Sequence, residues 1–205
     1  RTLDRSPAVD GYPNGITRSR TFSTGAEPAV GGGTVPPGML LTETDERGGI
    51  TAYAYDSAGQ IVRKAAPSGA TTATRYDELG RPLSITVTSD SFPDGLTTSF
   101  TYDVVGHLLS TTSPATIDQI DGNVHQLRES VLYDLDGRVT QSVEADIPTG
   151  VTRTTTTTYD QGGRAIVVTQ PDGGITRHTY DIVGNLETVS DPEGRVTKYG
   201  YDARN

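Results

Sequence analysis

Thr74-Arg75-Tyr76-Asp77-Glu78-Leu79-Gly80-Arg81-Pro82-Leu83 and, further along, Thr157-Thr158-Tyr159-Asp160-Gln161-Gly162-Gly163-Arg164-Ala165-Ile166 share one design. A Thr-rich run ends in Tyr-Asp, a glycine follows the tyrosine by four positions, and an apolar run resumes after it. Asp suits the first position of a type I turn, where its carboxylate accepts backbone N–H groups, and Gly takes the left-handed conformation that closes the turn. The β-branched residues before the turn, and Leu83, Ile85 and Val87 after it at period two, read as strands. The stretch is a β-hairpin with its turn written into it.

Working outward, the pair recurs seven times, as Tyr55-Asp56, Tyr76-Asp77, Tyr102-Asp103, Tyr133-Asp134, Tyr159-Asp160, Tyr180-Asp181 and Tyr201-Asp202, at spacings of 21, 26, 31, 26, 21 and 21 residues. Gly59, Gly80, Gly106, Gly137, Gly163 and Gly184 hold the closing position in the first six, and Asn205, which also tolerates positive φ, holds the seventh. A second glycine lies seven residues before Tyr at Gly48, Gly69, Gly95, Gly173 and Gly194, and Gly48-Gly49-Ile50-Thr51 recurs unchanged as Gly173-Gly174-Ile175-Thr176. Pro93-Asp94-Gly95, Pro171-Asp172-Gly173 and Pro192-Glu193-Gly194 read as the turns at the other end of the hairpins, and residues 89–93, 114–123 and 145–150 carry the extra length of the larger units.

A lone hairpin is marginal, whereas stacked hairpins pair their edges and bury a shared face. The periodicity therefore predicts an all-β protein of stacked antiparallel hairpins, each 21–31 residues, forming a continuous sheet over residues 48–205. The tyrosines form a ladder on one face, packed against neighbouring hairpins, and the aspartates line one edge. Residues 123–136, the longest run without Gly or Pro, read as strand, with a short helix as the alternative. Residues 1–47 lack the repeat and are punctuated by Pro7, Gly11, Pro13, Gly15, Gly31-Gly32-Gly33 and Pro36-Pro37, so they read as an irregular N-terminal segment with strands at 16–22 and 39–44.

Composition narrows the chemistry. With no Cys in 205 residues there is no disulfide framework, zinc-thiolate site or Cys nucleophile. A net charge of −9 without a basic run argues against a nucleic-acid partner. No stretch approaches the ~18 apolar residues of a membrane helix, and no basic start with an apolar segment marks an export signal; the chain, which starts without Met and stops inside its pattern, reads as a piece of something longer. The dense carboxylates could suggest a glycosidase pair, but Asp56, Asp77, Asp103, Asp134, Asp160 and Asp181 fall in unbroken turn register. Asp118, Asp121, Asp134 and Asp136 do not make a complete calcium loop, and His107, His125 and His178 are too scattered for a metal motif, His107 reading as a surface residue. Without an active-site motif, no enzymatic activity, catalytic residue, metal or cofactor is expected.

Tyr-Asp-x-x-Gly-Arg, present at Tyr76 to Arg81, Tyr133 to Arg138 and Tyr159 to Arg164, together with Pro-Asp-Gly, resembles the RHS or YD-repeat family. The resemblance covers about three quarters of the chain. It implies a spiralling sheet that can close into a hollow shell around a toxin domain in bacterial toxins, or that forms part of large cell-surface proteins. The Asp-Pro-x-Gly-Leu type motif that this family links to self-cleavage is approached only by Asp191-Pro192-Glu193-Gly194-Arg195, which lacks the leucine and sits in register with ordinary turns.

Three functions follow as expectations. The first is a structural wall segment of a large secreted or surface-exposed bacterial protein, whose partners are neighbouring repeats and an enclosed toxin domain. The second is a filament subunit completed by strand exchange between copies of itself. The third is a carbohydrate-binding module that stacks sugars on exposed tyrosines. Arg81, Arg138 and Arg164 are expected to pair with the aspartate of their own or the next turn.

Overall fold

The computed structural model describes residues 2–5 and 17–202. Ile16 and Asn205, both assigned roles above, lie outside the described residues. Among those described there is no helix, and the main sheet is antiparallel with strands in chain order. Residues 1–99 and 100–205 form two compact units.

The first unit holds β1 (Thr2–Arg5), β2 (Thr17–Phe22), β3 (Leu40–Thr44), β4 (Ile50–Tyr55), β5 (Ile61–Ala65), β6 (Thr71–Tyr76), β7 (Pro82–Ser89) and most of β8 (Phe92–Tyr102). Register puts Val62, Ile85, Val87 and Leu96 on one face, opposite a face of mostly small and hydroxylated side chains that also carries Arg63 and Arg75. On that second face the threonines explain their own abundance: hydroxyls bond across the strands in the pairs Thr21–Thr42 (2.6 Å), Thr71–Thr88 (2.5 Å) and Thr86–Thr97 (2.8 Å). Such rungs contribute roughly 0.2–1 kcal/mol each and fix register.

This unit also contains the only buried hydrophobic cluster among the described residues: Ala29, Val35 and Tyr55 at 9%, 3% and 4% exposure, with Met39, Leu41 and Tyr53 packed around them. Ala29 and Val35 come from the long connection between β2 and β3, whose Val30 amide donates to Tyr55 O at 2.9 Å. Its geometry shows what the connection is. Phe22 pairs with Leu40 just after a bulge, as Tyr55 does with Ile61 and Tyr76 with Pro82. Ser23 N donates to Met39 O, Gly38 N donates to Ser23 O, and Met39 N donates to Ser23 Oγ, repeating the bonds that Asp77 makes with Arg81 and Gly80. Phe22-Ser23 and Gly38-Met39 are thus a Tyr-Asp turn with Phe and Ser in the signature places, opened by residues 24–37 where other units carry two residues.

The second unit holds the end of β8, β9 (Leu108–Thr112), β12 (Leu127–Tyr133), β13 (Val139–Asp146), β14 (Val151–Tyr159), β15 (Ala165–Thr169), β16 (Ile175–Tyr180), β17 (Leu186–Ser190) and β18 (Val196–Lys198). A separate two-stranded hairpin, β10 (Thr116–Ile117) with β11 (Val124–His125), fills the largest repeat. Residues 124–125 and 127–133 are strand, so the helical alternative for that run is not adopted.

One turn is corrected. Pro93-Asp94-Gly95 does not turn the chain: it lies inside β8, where Ser89 pairs with Phe92 and Val87 with Leu96, leaving the three residues as a bulge. Gly95 has φ +83°, and a Cβ there would stand 2.7 Å from Thr86 Cγ2, so the bulge needs glycine for both backbone and space.

Candidate functional site

The repeated chemistry gathers at the Tyr-Asp turns. In the turn after β6, Gly80 N donates to Asp77 O (3.0 Å) and Asp77 N donates to Arg81 O (2.9 Å). The Asp77 carboxylate then accepts the Leu79 and Arg81 amides, both at 2.9 Å, and Arg81 Nε at 2.7 Å. Asp134 and Asp160 repeat this with Arg138 and Arg164, so these arginines pair with their own turn. Gln60, His107 and Asn185 take the arginine's place against Asp56, Asp103 and Asp181. At Asp77, Asp134 and Asp160 the amide of the following arginine holds the carboxyl below the usual carboxylate range, and its guanidinium adds to this. Gly59, Gly80, Gly106, Gly137, Gly163 and Gly184 all have positive φ.

The tyrosines join one repeat to the one before. In five units a bulge precedes the ring, at Tyr55, Tyr76, Tyr133, Tyr159 and Tyr180, re-aiming it along the sheet. Its hydroxyl donates to the carbonyl of the first residue of the strand that follows the preceding turn: Tyr55 to Leu40 (2.7 Å), Tyr76 to Ile61 (3.0 Å), Tyr133 to Leu108 (3.0 Å), Tyr159 to Val139 (2.8 Å) and Tyr180 to Ala165 (2.9 Å). Tyr201 reaches Leu186 O at 3.0 Å in the same way, with Asp202 the last described residue. Tyr102 closes β8 ahead of Asp103 and Gly106.

The side chain that braces each turn also covers the next ring. The Arg138 guanidinium lies 5.1 Å from the Tyr159 ring centre and that of Arg164 lies 4.7 Å from Tyr180. His107 stacks on Tyr133 with centroids 4.7 Å apart, so it is a member of this contact and not a free surface residue. Asp, its arginine and the next tyrosine form a latch from repeat to repeat. The acceptor carbonyls escape any reading of side chains alone; the signal for them is positional, since each lies six residues after the preceding tyrosine, except Leu40, which follows the opened Phe22 turn.

The RHS Repeat family matches residues 38–71, 55–91, 159–194 and 180–205, about half of the chain. Three of these matches begin on Tyr55, Tyr159 and Tyr180. No curated protein matches the chain. Among solved structures it is similar to the crystal structure of TcdB2-TccC3 without the hypervariable C-terminal region, at 15% identity and TM-score 0.44, covering 98% of this chain and 13% of that one. Similar too are a Photorhabdus luminescens Tc holotoxin pore with mutated TccC3 (12% identity, TM-score 0.34, 98% and 14% covered) and the crystal structure of TcdB2-TccC3 (12%, 0.33, 98% and 14%). The chain spans 13% to 14% of the length of these solved chains. With matches in both halves of the array that start on the latched tyrosines, the chain belongs to the RHS-repeat family.

Proposed function

We propose that this chain is a structural wall segment of a large secreted or cell-surface bacterial protein, and that the wall encloses a toxin domain. The observation that carries the structural part is the latch. The tyrosine hydroxyls and the arginine Nε groups in it donate to the chain itself, so the repeated residues are engaged in holding hairpins in register. The role is scaffolding and not catalysis. The enclosed toxin domain and the extracellular setting rest on the RHS family resemblance.

Val104, Leu135 and Ile182, at the tips of Tyr-Asp turns, are fully exposed, which fits a segment whose edge is covered in a larger assembly. The carbohydrate reading is not favoured, because the tyrosine hydroxyls and several rings already have partners within the chain. The test is electron microscopy of the protein purified from its natural source, with intact mass measured on the same sample. Closed hollow particles at a mass far above 21.7 kDa support the wall; fibres built from a 21.7 kDa chain would overturn it in favour of strand exchange between copies.

A further inference from the structure

Two of the three histidines sit at opposite ends of one hairpin, and each faces a carboxylate. The hairpin is β12–β13, whose register runs from Leu127 opposite Asp146 at one end to Tyr133 opposite Val139 at the other. At the Tyr133 end, His107 Nδ1 lies 2.9 Å from Asp103 Oδ2 and its ring stacks on Tyr133. A Cβ on Gly137 would stand 3.2 Å from His107 Nε2, so the imidazole also abuts the turn that joins β12 to β13. At the Asp146 end, His125 Nδ1 lies 2.8 Å from Asp146 Oδ2, and the Gln126 amide donates to Asp146 Oδ1 at 3.1 Å. His107 thus ties the hairpin to the turn at residues 103–107, and His125 ties it to the β10–β11 side hairpin.

The choice of imidazole separates these contacts from the other rungs of the sheet. Where His107 braces Asp103, the equivalent turns carry Gln60, Arg81, Arg138, Arg164 and Asn185, none of which changes its charge near neutral pH. Imidazole is the side chain that gains or loses its charge between about pH 5 and 8. Charged, His107 brings to Tyr133 what the Arg138 and Arg164 guanidiniums bring to Tyr159 and Tyr180; neutral, it keeps its hydrogen bond and gives up the ion pair with Asp103. The carboxylates of the abutting turn, Asp134 and Asp136, are both engaged by Arg138. His125 is more closely ringed by acid. Asp118 and Asp121 each place a carboxylate oxygen within 4.8 Å of the imidazole, and Glu144, Asp146 and Arg153 line the same cavity of about 350 Å³. Arg153 stands cross-strand from Glu144, which leaves the ring to Asp118, Asp121 and Asp146. The bond to Asp146 holds the His125 imidazole above its usual range against the cost of desolvation, with the other two carboxylates adding to it, and the same bond holds Asp146 below the carboxylate range.

We propose that the β12–β13 hairpin is a pH-dependent joint in the sheet, clamped at both ends while His107 and His125 are charged and loosened when they are neutral. The His125 clamp is present in full below the unfolded imidazole value of about 6.5 and is lost as pH rises through the higher folded value. The His107 clamp runs in the same direction, because its ion pair with Asp103 exists only on the charged ring.

The test is hydrogen exchange of the full chain at about pH 5.5 and pH 8, either side of the imidazole range, read as protection factors so that the chemical exchange rate cancels. Protection in β12 and β13 should fall about 2- to 10-fold between the two, the scale of one or two exposed ion pairs, and should hold in β3 to β6, a stretch without histidine. His107→Arg installs the residue that equivalent turns use, and should keep protection at the Tyr133 end while removing its pH dependence. His125→Gln should remove the dependence at the Asp146 end. No change between the two pH values in the native chain, or an undiminished fall in the folded double variant, would overturn the joint.

Discussion

At Tyr159 one hydroxyl and one ring do separate work. The hydroxyl donates to Val139 O at 2.8 Å and the ring lies under Arg138, so Tyr159→Phe removes the bond and keeps most of the packing. A net hydrogen bond is worth about 0.5–1.5 kcal/mol, and thermal unfolding should show a fall in Tm of roughly 1–6 °C. The aspartates give a pH signature. Asp134 and Asp160 are held below their ordinary range by the Arg138 and Arg164 amides, so their folded pKa lies below the unfolded value of about 3.9. Their contribution is present in full above that value and is lost as pH falls through the folded pKa. Carboxyl resonances followed by NMR should titrate below 3.9, and in Arg164→Gln the Asp160 midpoint should move upward; an Asp160 midpoint at or above 3.9 in the native chain would contradict the turn geometry.

The hairpin is the element on which sequence and structure agree best, because its turn chemistry is local. Asp77 and Gly80 suffice to place a turn, and Leu83, Ile85 and Val87 suffice to place the strand after it. What escaped the sequence was non-local. Pro93-Asp94-Gly95 has the composition of a turn, yet the space beside Thr86 and Thr88 accommodates it as a bulge within β8. Gly95→Ala should therefore destabilise more than Gly69→Ala. Both glycines have positive φ, worth about 1–2 kcal/mol against a side chain, but at Gly69 no atom lies within 4 Å of a new Cβ. Urea unfolding of the two variants gives the comparison. The opened turn at Phe22-Ser23 was likewise hidden, since Phe and Ser replace the signature pair and residues 24–37 interrupt the spacing. That insertion supplies Val35, and Val35→Ala should cost about 1.5–3 kcal/mol by the same measurement, a large effect for a chain with so small a buried cluster.

At the scale of the molecule, the sheet has few buried side chains among the described residues, and its order rests on contacts between neighbouring strands. Such an array behaves as a chain of nearest-neighbour couplings, each unit stabilised by the next. The central claim is that the tyrosine latch provides that coupling. Native-state hydrogen exchange of the full chain beside its Tyr159→Phe variant tests it most directly. The account predicts that protection falls in β13 and β14, which the latch joins, and in β15, which pairs with β14, and holds in β3 to β6. An equal loss across all strands, or no loss around Val139 and Tyr159, would contradict it.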